Sequence, residues 1–240
     1  MRSKVLLSAL AVAATACLAG RAAAYEAIAV TDGGTLSGTV TIEGAAPPPA
    51  KIEVTKDPEV CGKEAKVAPA LLVASGGGIA NVVVTVKAAK GKKNDVPATN
   101  PVFDQKTCEF HPHVLVFPAG STIDVINSDG ILHNIHTTST ANPSQNQAQP
   151  KFKPKIQIKV DKPETIAIKC DVHGWMSGYW VATDTPYVAV TDAGGNFKIA
   201  DLPPGDYDVE LWQEKLGKAT QKASIKAKEE TKVAWKMAAK

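Results

Sequence analysis

Cys170, His173 and Met176 stand three residues apart in CDVHGWM, at the end of an apolar stretch. Thiolate, imidazole and thioether form a soft donor set that suits copper, and a trigonal His2Cys group with a long, weak axial Met is the electron-transfer form of such a site. CDVHGWM supplies only one of the two imidazoles. A second is available upstream in DGILHNIH, at what reads as the end of another strand. His133 and His136, three residues apart there, point to opposite faces of an extended chain, so only one of them can share a site with Cys170. His133, directly after the strand and turn STIDVINSDGIL, is the expected ligand. A histidine alone in a strand is ordinarily a core or surface residue; the C-x2-H-x2-M cluster shifts the expectation for His133 to a ligand.

The elements that must position these residues read as β throughout. ETIAIKC places Ile166, Ile168 and Cys170 on one parity, which turns the thiol inward with the core. KFKPKIQIKVDK puts Pro154, Ile156, Ile158 and Val160 on one face and Lys153, Lys155, Gln157 and Lys159 on the other, the alternation of a half-buried strand. TLSGTVTIEG, NVVVTVKAAK, VLVF, STIDVIN, GYWVAT, NFKIA, YDVELW and KVAWKM are further strand candidates, separated by turn signals such as SGGG, PAG, NSDG, DAGG and LPPG. No amphipathic helix of convincing length is evident. The expectation is an all-β chain of packed sandwiches.

Residues 1–24 read as a secretory signal: basic MRSK, the apolar VLLSALAVAATACLAG, and a small-residue cleavage site at Ala22-Ala23-Ala24 before Tyr25. Cys17 inside it is expected to be filler, since Ala14-Thr15-Ala16 is a poor triplet for lipid attachment. The chain carries 27 Lys+Arg against 24 Asp+Glu, and loss of Arg2, Lys4 and Arg21 with the leader leaves 24 against 24. That balance gives no reason to expect nucleic acid or an anionic membrane as partner. No other run approaches the roughly 18 apolar residues of a membrane span. The mature chain is expected in an exported compartment, most simply a periplasm. Lysines crowd the last 28 residues, read as decoration that discourages edge pairing of strands.

Cys61, Cys108 and Cys170 remain after the leader. With Cys170 as a metal thiolate, an exported protein is expected to join Cys61 to Cys108. Closing that loop is worth about 4 kcal/mol in the chain-entropy account. The competing arrangement is a second metal site built from Cys108, His111 and His113. Three stretches read as linkers or long loops: GAAPPPAK at 44–51, GKKNDVPATNP at 91–101, and the uncharged TTSTANPSQNQAQP at 137–150. The last follows HNIH closely and is expected to be a surface excursion, the alternative being a cover over the site or a partner contact.

VFPAGSTIDVINSDGILHNIH followed by CDVHGWMSGYWVAT resembles the two ligand-bearing segments of a cupredoxin, most closely the amicyanins and more loosely plastocyanin and pseudoazurin. The resemblance implies a Greek-key sandwich over about 98–185 holding one type 1 copper on His133, Cys170, His173 and Met176. It also implies that Asn134 braces the ligand loop by hydrogen bonding. Trp175 and the Ile166–Ile168 face are expected to shield the sulfur, and His173, on the loop, to be the partly exposed ligand through which an electron passes. Trp175 reads either as a docking aromatic or as packing under the loop. PYVAVTDAGGNFKIADLPPGDYDVELW is similar to the carboxypeptidase regulatory-like, transthyretin-like sandwich, with GGTLSGTVTIEG and IANVVVTVKAAKG as its first strands. These motifs imply that the cupredoxin is inserted in, or packed against, a small sandwich built from 25–97 and 186–240. Together they resemble exported proteins of a methylamine-utilisation-like kind.

An enzyme is not expected. Five histidines are too few for a trinuclear copper centre, one cysteine in the ligand loop excludes a dinuclear copper pair, and Met176 argues against hydrolytic zinc. No G-x-S-x-G, Walker or zincin motif occurs. The expected function is single-electron transfer with a redox protein partner. The alternatives are export-side copper binding or delivery, or an adhesion module.

Overall fold

The computed structural model describes residues 25–88 and 90–238, and the expected leader with its Cys17 lies outside them. The described residues are all-β apart from a four-residue helix, Pro58–Cys61. No helix among the described residues is long and apolar enough to cross a membrane.

Strands between Val102 and Thr183 form two facing sheets. One runs in the order Lys155–Val160, Ser121–Asn127, Val102–Lys106, Glu109–His111. The other runs Asn146–Gln149, His133–Thr138, Glu164–Lys169, Ser177–Thr183, Val114–Pro118. Period-two alternation decides which side chains enter the space between them. Ile156, Ile158 and Val160 are buried while Lys155, Gln157 and Lys159 face solvent. The register pairs Ile123 with Ile158 and Val125 with Ile156. Each such side chain contributes roughly 1.5–3 kcal/mol when fully buried. Phe103 anchors the middle, stacked on Phe110 at 4.9 Å and edge-on to Trp180 at 5.5 Å.

A second pair of sheets combines strands from both sides of this unit in the chain. Val188–Val190, Val83–Val86, Gly205–Gln213 and Gly217–Ile225 form one; Asn196–Leu202, Gly34–Glu43 and Glu230–Ala238 form the other. Leu36, Val40, Val84, Leu211 and Trp235 are buried between them. The DAGGN turn is closed by Asp192, whose Oδ1 accepts the Gly194 and Asn196 amides at 2.8 Å. Gly195 there has φ +81°, and a Cβ on it would lie 2.5 Å from the Val40 carbonyl, so only glycine fits.

The two sandwiches touch through Val83, Val114 and Val181, with Tyr179 edge-on to Trp212 at 4.9 Å. His113 bridges them, its Nδ1 3.0 Å from the Ser177 carbonyl and its Nε2 against the Glu214 carboxylate.

Several details depart from the sequence expectation. Pro154 is exposed and precedes its strand rather than sharing the Ile156 face. The stretch 137–150 is not a plain excursion: Asn146–Gln149 pairs back on the His133 strand, and Glu164 accepts the amides of Thr140, Ala141 and Asn142 in the turn. Uncharged polar residues concealed this hairpin, because its stability comes from one distant carboxylate rather than from apolar alternation. Residues 51–67 carry a short hairpin and the helix, and Val54, Val60 and Cys61 pack into the core of the sandwich that contains Phe103.

Candidate metal centre

Strand parity brings the first donor into place. Ile166, Ile168 and Cys170 are all buried, and Cys170 lies just past the end of Glu164–Lys169. The chain then doubles back: the Met176 amide donates to the His173 carbonyl at 2.9 Å, and the Cys170 amide to the Met176 carbonyl at 3.2 Å. This tight loop places His173 beside Cys170 and leaves Met176 buried in the same core. His133 opens the neighbouring strand of the same sheet and is likewise fully buried.

Three donor atoms converge. Cys170 Sγ lies 4.0 Å from His133 Nδ1 and 3.9 Å from His173 Nδ1, and the two Nδ1 atoms are 3.0 Å apart. The point equidistant from all three is about 2.1 Å from each, within or just below the roughly 2.0–2.3 Å of nitrogen and sulfur bonds to a first-row ion such as zinc.

The far side of each imidazole is tied to a carboxylate. His133 Nε2 meets Asp129 Oδ2 at 2.9 Å, and His173 Nε2 meets Asp57 Oδ2 at 2.8 Å. An ionised carboxylate only accepts, so each Nε2 carries the hydrogen, and each ring, when neutral, turns a bare Nδ1 lone pair inward. Two such lone pairs facing each other, with a sulfur beside them and all three residues buried, are a donor set for a cation. The thiol is disposed accordingly: burial pushes its pKa up, but His133 and the amides of Asn134, His173 and Val172 outweigh this and hold it below the ordinary value. Burial also disfavours charge on His133, yet the Asp129 and Cys170 contacts prevail and raise it to about 8. His173 is lowered, chiefly by burial.

Asn134 Oδ1 accepts the Asp171 amide at 2.6 Å, so it does tie the ligand loop to the His133 strand. Trp175 is half-buried, tilted over His173 at 5.2 Å, and donates from Nε1 to the Cys108 carbonyl at 3.1 Å. His136 stays outside the cluster, bonded to Asp171 at 2.7 Å. Cys61 and Cys108 are joined, with Cα atoms 5.2 Å apart. Cys108 is therefore no thiolate, and His113 is engaged by Ser177 and Glu214, so the alternative site of Cys108, His111 and His113 is not assembled.

One expectation is overturned. His173 is not a partly exposed ligand: its side chain is 0% exposed because Asp57 and the segment around it cover the ring edge. Sequence reasoning missed both Asp57 and Asp129. Asp129 carried a faint signal, four residues before His133 in NSDGILH; Asp57 lies 116 residues from His173 and carried none.

A family model described as polysaccharide lyase family 4, domain II, matches residues 161–233. That stretch runs from the last strands of one sandwich into the other, and the matching model is not the carboxypeptidase regulatory-like one that DAGGNFKI and LPPGDY led to expect. A search of curated proteins returns no match. Similar solved structures are cupredoxins. Amicyanin from Paracoccus versutus is 19% identical, with 42% of this chain and 97% of that chain covered and a TM-score of 0.32. A purple cupredoxin from Nitrosopumilus maritimus is 16% identical, with 35% and 100% covered and a TM-score of 0.31. A copper-containing nitrite reductase from Thermus scotoductus SA-01 is 20% identical over 37% of this chain, with a TM-score of 0.32, and only 23% of the reductase is spanned.

Proposed function

We propose that the chain binds one copper ion on His133, Cys170 and His173, with Met176 as the weak fourth ligand, and uses it to carry single electrons in an exported compartment. The observation that carries this reading is the convergence of one thiol and two inward Nδ1 atoms in a fully buried triangle. Copper in such a set changes oxidation state with little rearrangement when the protein fixes the ligands. In this reading Asp129 and Asp57 hold the rings, Asn134 holds the loop, and Ile166, Ile168 and Trp175 exclude water. A redox protein is the proposed partner, and no catalytic role is proposed.

Absorption and paramagnetic resonance spectra of the copper-loaded protein test this reading. Intense visible absorption from copper–thiolate charge transfer and a reversible one-electron couple are expected. A colourless copper-loaded protein whose copper affinity survives Cys170→Ser would refute it.

Copper delivery is the second reading, favoured by one observation: His173 is covered by Asp57 rather than presented at the surface. A carrier of that kind would hand Cu(I) to an apo-acceptor within minutes, whereas an electron carrier would retain its copper while exchanging electrons.

A further inference from the structure

Two carboxylates grip the two histidines from behind, and a single covalent tie connects the two grips. Asp57 precedes the helix Pro58–Cys61, where an aspartate ordinarily turns its carboxylate onto its own helix amides. Here it makes no such cap bond, and its backbone sits at φ 48°, ψ 50°, a left-handed conformation uncommon for a residue other than glycine. Its Oδ2 reaches instead to His173 Nε2 at 2.8 Å. At the other end of this one-turn helix, Cys61 is joined to Cys108. The Cys108 amide donates to Asp129 Oδ2 at 2.7 Å, the same oxygen that meets His133 Nε2 at 2.9 Å, and the Thr107 amide donates to Asp129 Oδ1 at 2.5 Å. Thr107 and Cys108 both have positive φ, 53° and 56°, so the turn is bent to present these two amides together. The Trp175 indole, tilted over His173, donates to the Cys108 carbonyl. The disulfide thus lies on the path Asp57–helix–Cys61–Cys108–Asp129, and its sulfurs pack against the imidazoles themselves, within 4.8 Å of nitrogen atoms of His173 and, for Cys108, of His133.

We propose that Asp57 and Asp129 are paired positioning residues that lock both imidazoles with Nδ1 inward, and that the Cys61–Cys108 disulfide is the latch holding the Asp57 arm closed over His173. The proposal rests on the copper reading for its purpose but not for its geometry. Without the latch, the Asp57 segment is held by the two-residue pairing of Lys51–Ile52 with Lys66–Val67 and by the partly buried Val54 and Val60. The arm then opens, the His173 edge becomes accessible, and the ring is free to exchange tautomers. Carboxylates that orient metal-binding imidazoles in this way typically contribute 10–100-fold to metal affinity.

The test uses the full mature chain and three variants, Asp57→Ala, Asp57→Asn and Cys61→Ser/Cys108→Ser. Nitrogen-15 spectra of the imidazoles in metal-free protein at one fixed pH should show His173 as the Nε2–H tautomer in the parent. Asp57→Ala should give a mixture of tautomers, and Asp57→Asn, which keeps an acceptor oxygen, should restore the parent pattern. Loss of Cu(I) to a chelator should be about 10–100-fold faster in Asp57→Ala and in the double serine variant, and near the parent rate in Asp57→Asn. Unchanged tautomer and unchanged copper loss in Asp57→Ala would overturn the positioning role. A double serine variant matching the parent in both readouts would overturn the latch. A parent that binds copper without a thiolate band would defeat the copper reading alone, since the tautomer comparison needs no metal.

Discussion

The Nδ1 atoms of His133 and His173 face each other at 3.0 Å although the residues are 40 apart in the chain. Each ring spends its Nε2 hydrogen on a carboxylate, and beyond each other the two Nδ1 atoms meet the Cys170 sulfur. Together with the Cys170 sulfur they form a soft donor set of the kind that suits a cation.

The ligands are expected to differ in weight. Replacing His133 with Ala removes one of the two inward nitrogens and should cost at least about 100-fold in copper affinity, whereas Met176→Leu, which keeps the volume, should cost less than about tenfold and mainly shift the potential. Titration of each variant against a competing chelator, with voltammetry of the Met176 variant, checks the order. Equal losses at the two positions would contradict it.

Removing the disulfide has a stability cost separate from its proposed latch role. Cys61 and Cys108 are 47 residues apart, and the chain-entropy account gives about 4 kcal/mol for a loop of that length. Denaturant unfolding of the double serine variant should show a loss of that order, with its midpoint lowered and its slope little changed.

His113 and Glu214 join the two sandwiches with side chains only 8% and 9% exposed. Glu214→Ala leaves the His113 Nε2 without its partner in a buried place, and should cost about 3 kcal/mol. It should also split a single calorimetric transition into two, because this pair is a principal polar tie between cores that otherwise meet through Val83, Val114 and Val181.

Glu164 gives a pH dependence with a definite sign. Burial raises its pKa, but bonds from Ser139, Thr140 and Asn142 outweigh this and hold it well below the ordinary carboxylate value of 4.5. A carboxylate depressed on folding contributes stability that is present above the unfolded pKa and is lost as pH falls through the folded one. The turn at 139–142 should therefore be intact at pH 6 and loosen progressively below about pH 4.5. Amide exchange at Thr140 and Ala141 reads this directly. Glu164→Gln should flatten the profile and, because the group is partly exposed, cost only about 1–2 kcal/mol.

Much of the fold was legible in local pattern. Ser121–Asn127 was readable end to end, because its alternation matches the pleat and one face is buried. Val102–Lys106, Asn146–Gln149 and Gly217–Ile225 were not, since Asp104, Gln105, Gln147 and the lysine-rich run 215–228 do not advertise burial. Their strands exist because neighbours supply the ladder: Val102–Lys106 lies parallel to Ser121–Asn127, a pairing no short-range signal encodes.

By itself the sequence determined the donor types, their spacing in CDVHGWM, and the inward parity of Cys170, because side-chain direction along a strand is a local, period-two property. Only the tertiary structure decided what stands behind the ligands. Asp57 reads in the sequence as an ordinary surface aspartate in TKDPEV. It becomes the partner of His173, and the reason that ring is closed to solvent, only when a helix of one turn and a disulfide carry it across 116 residues of chain.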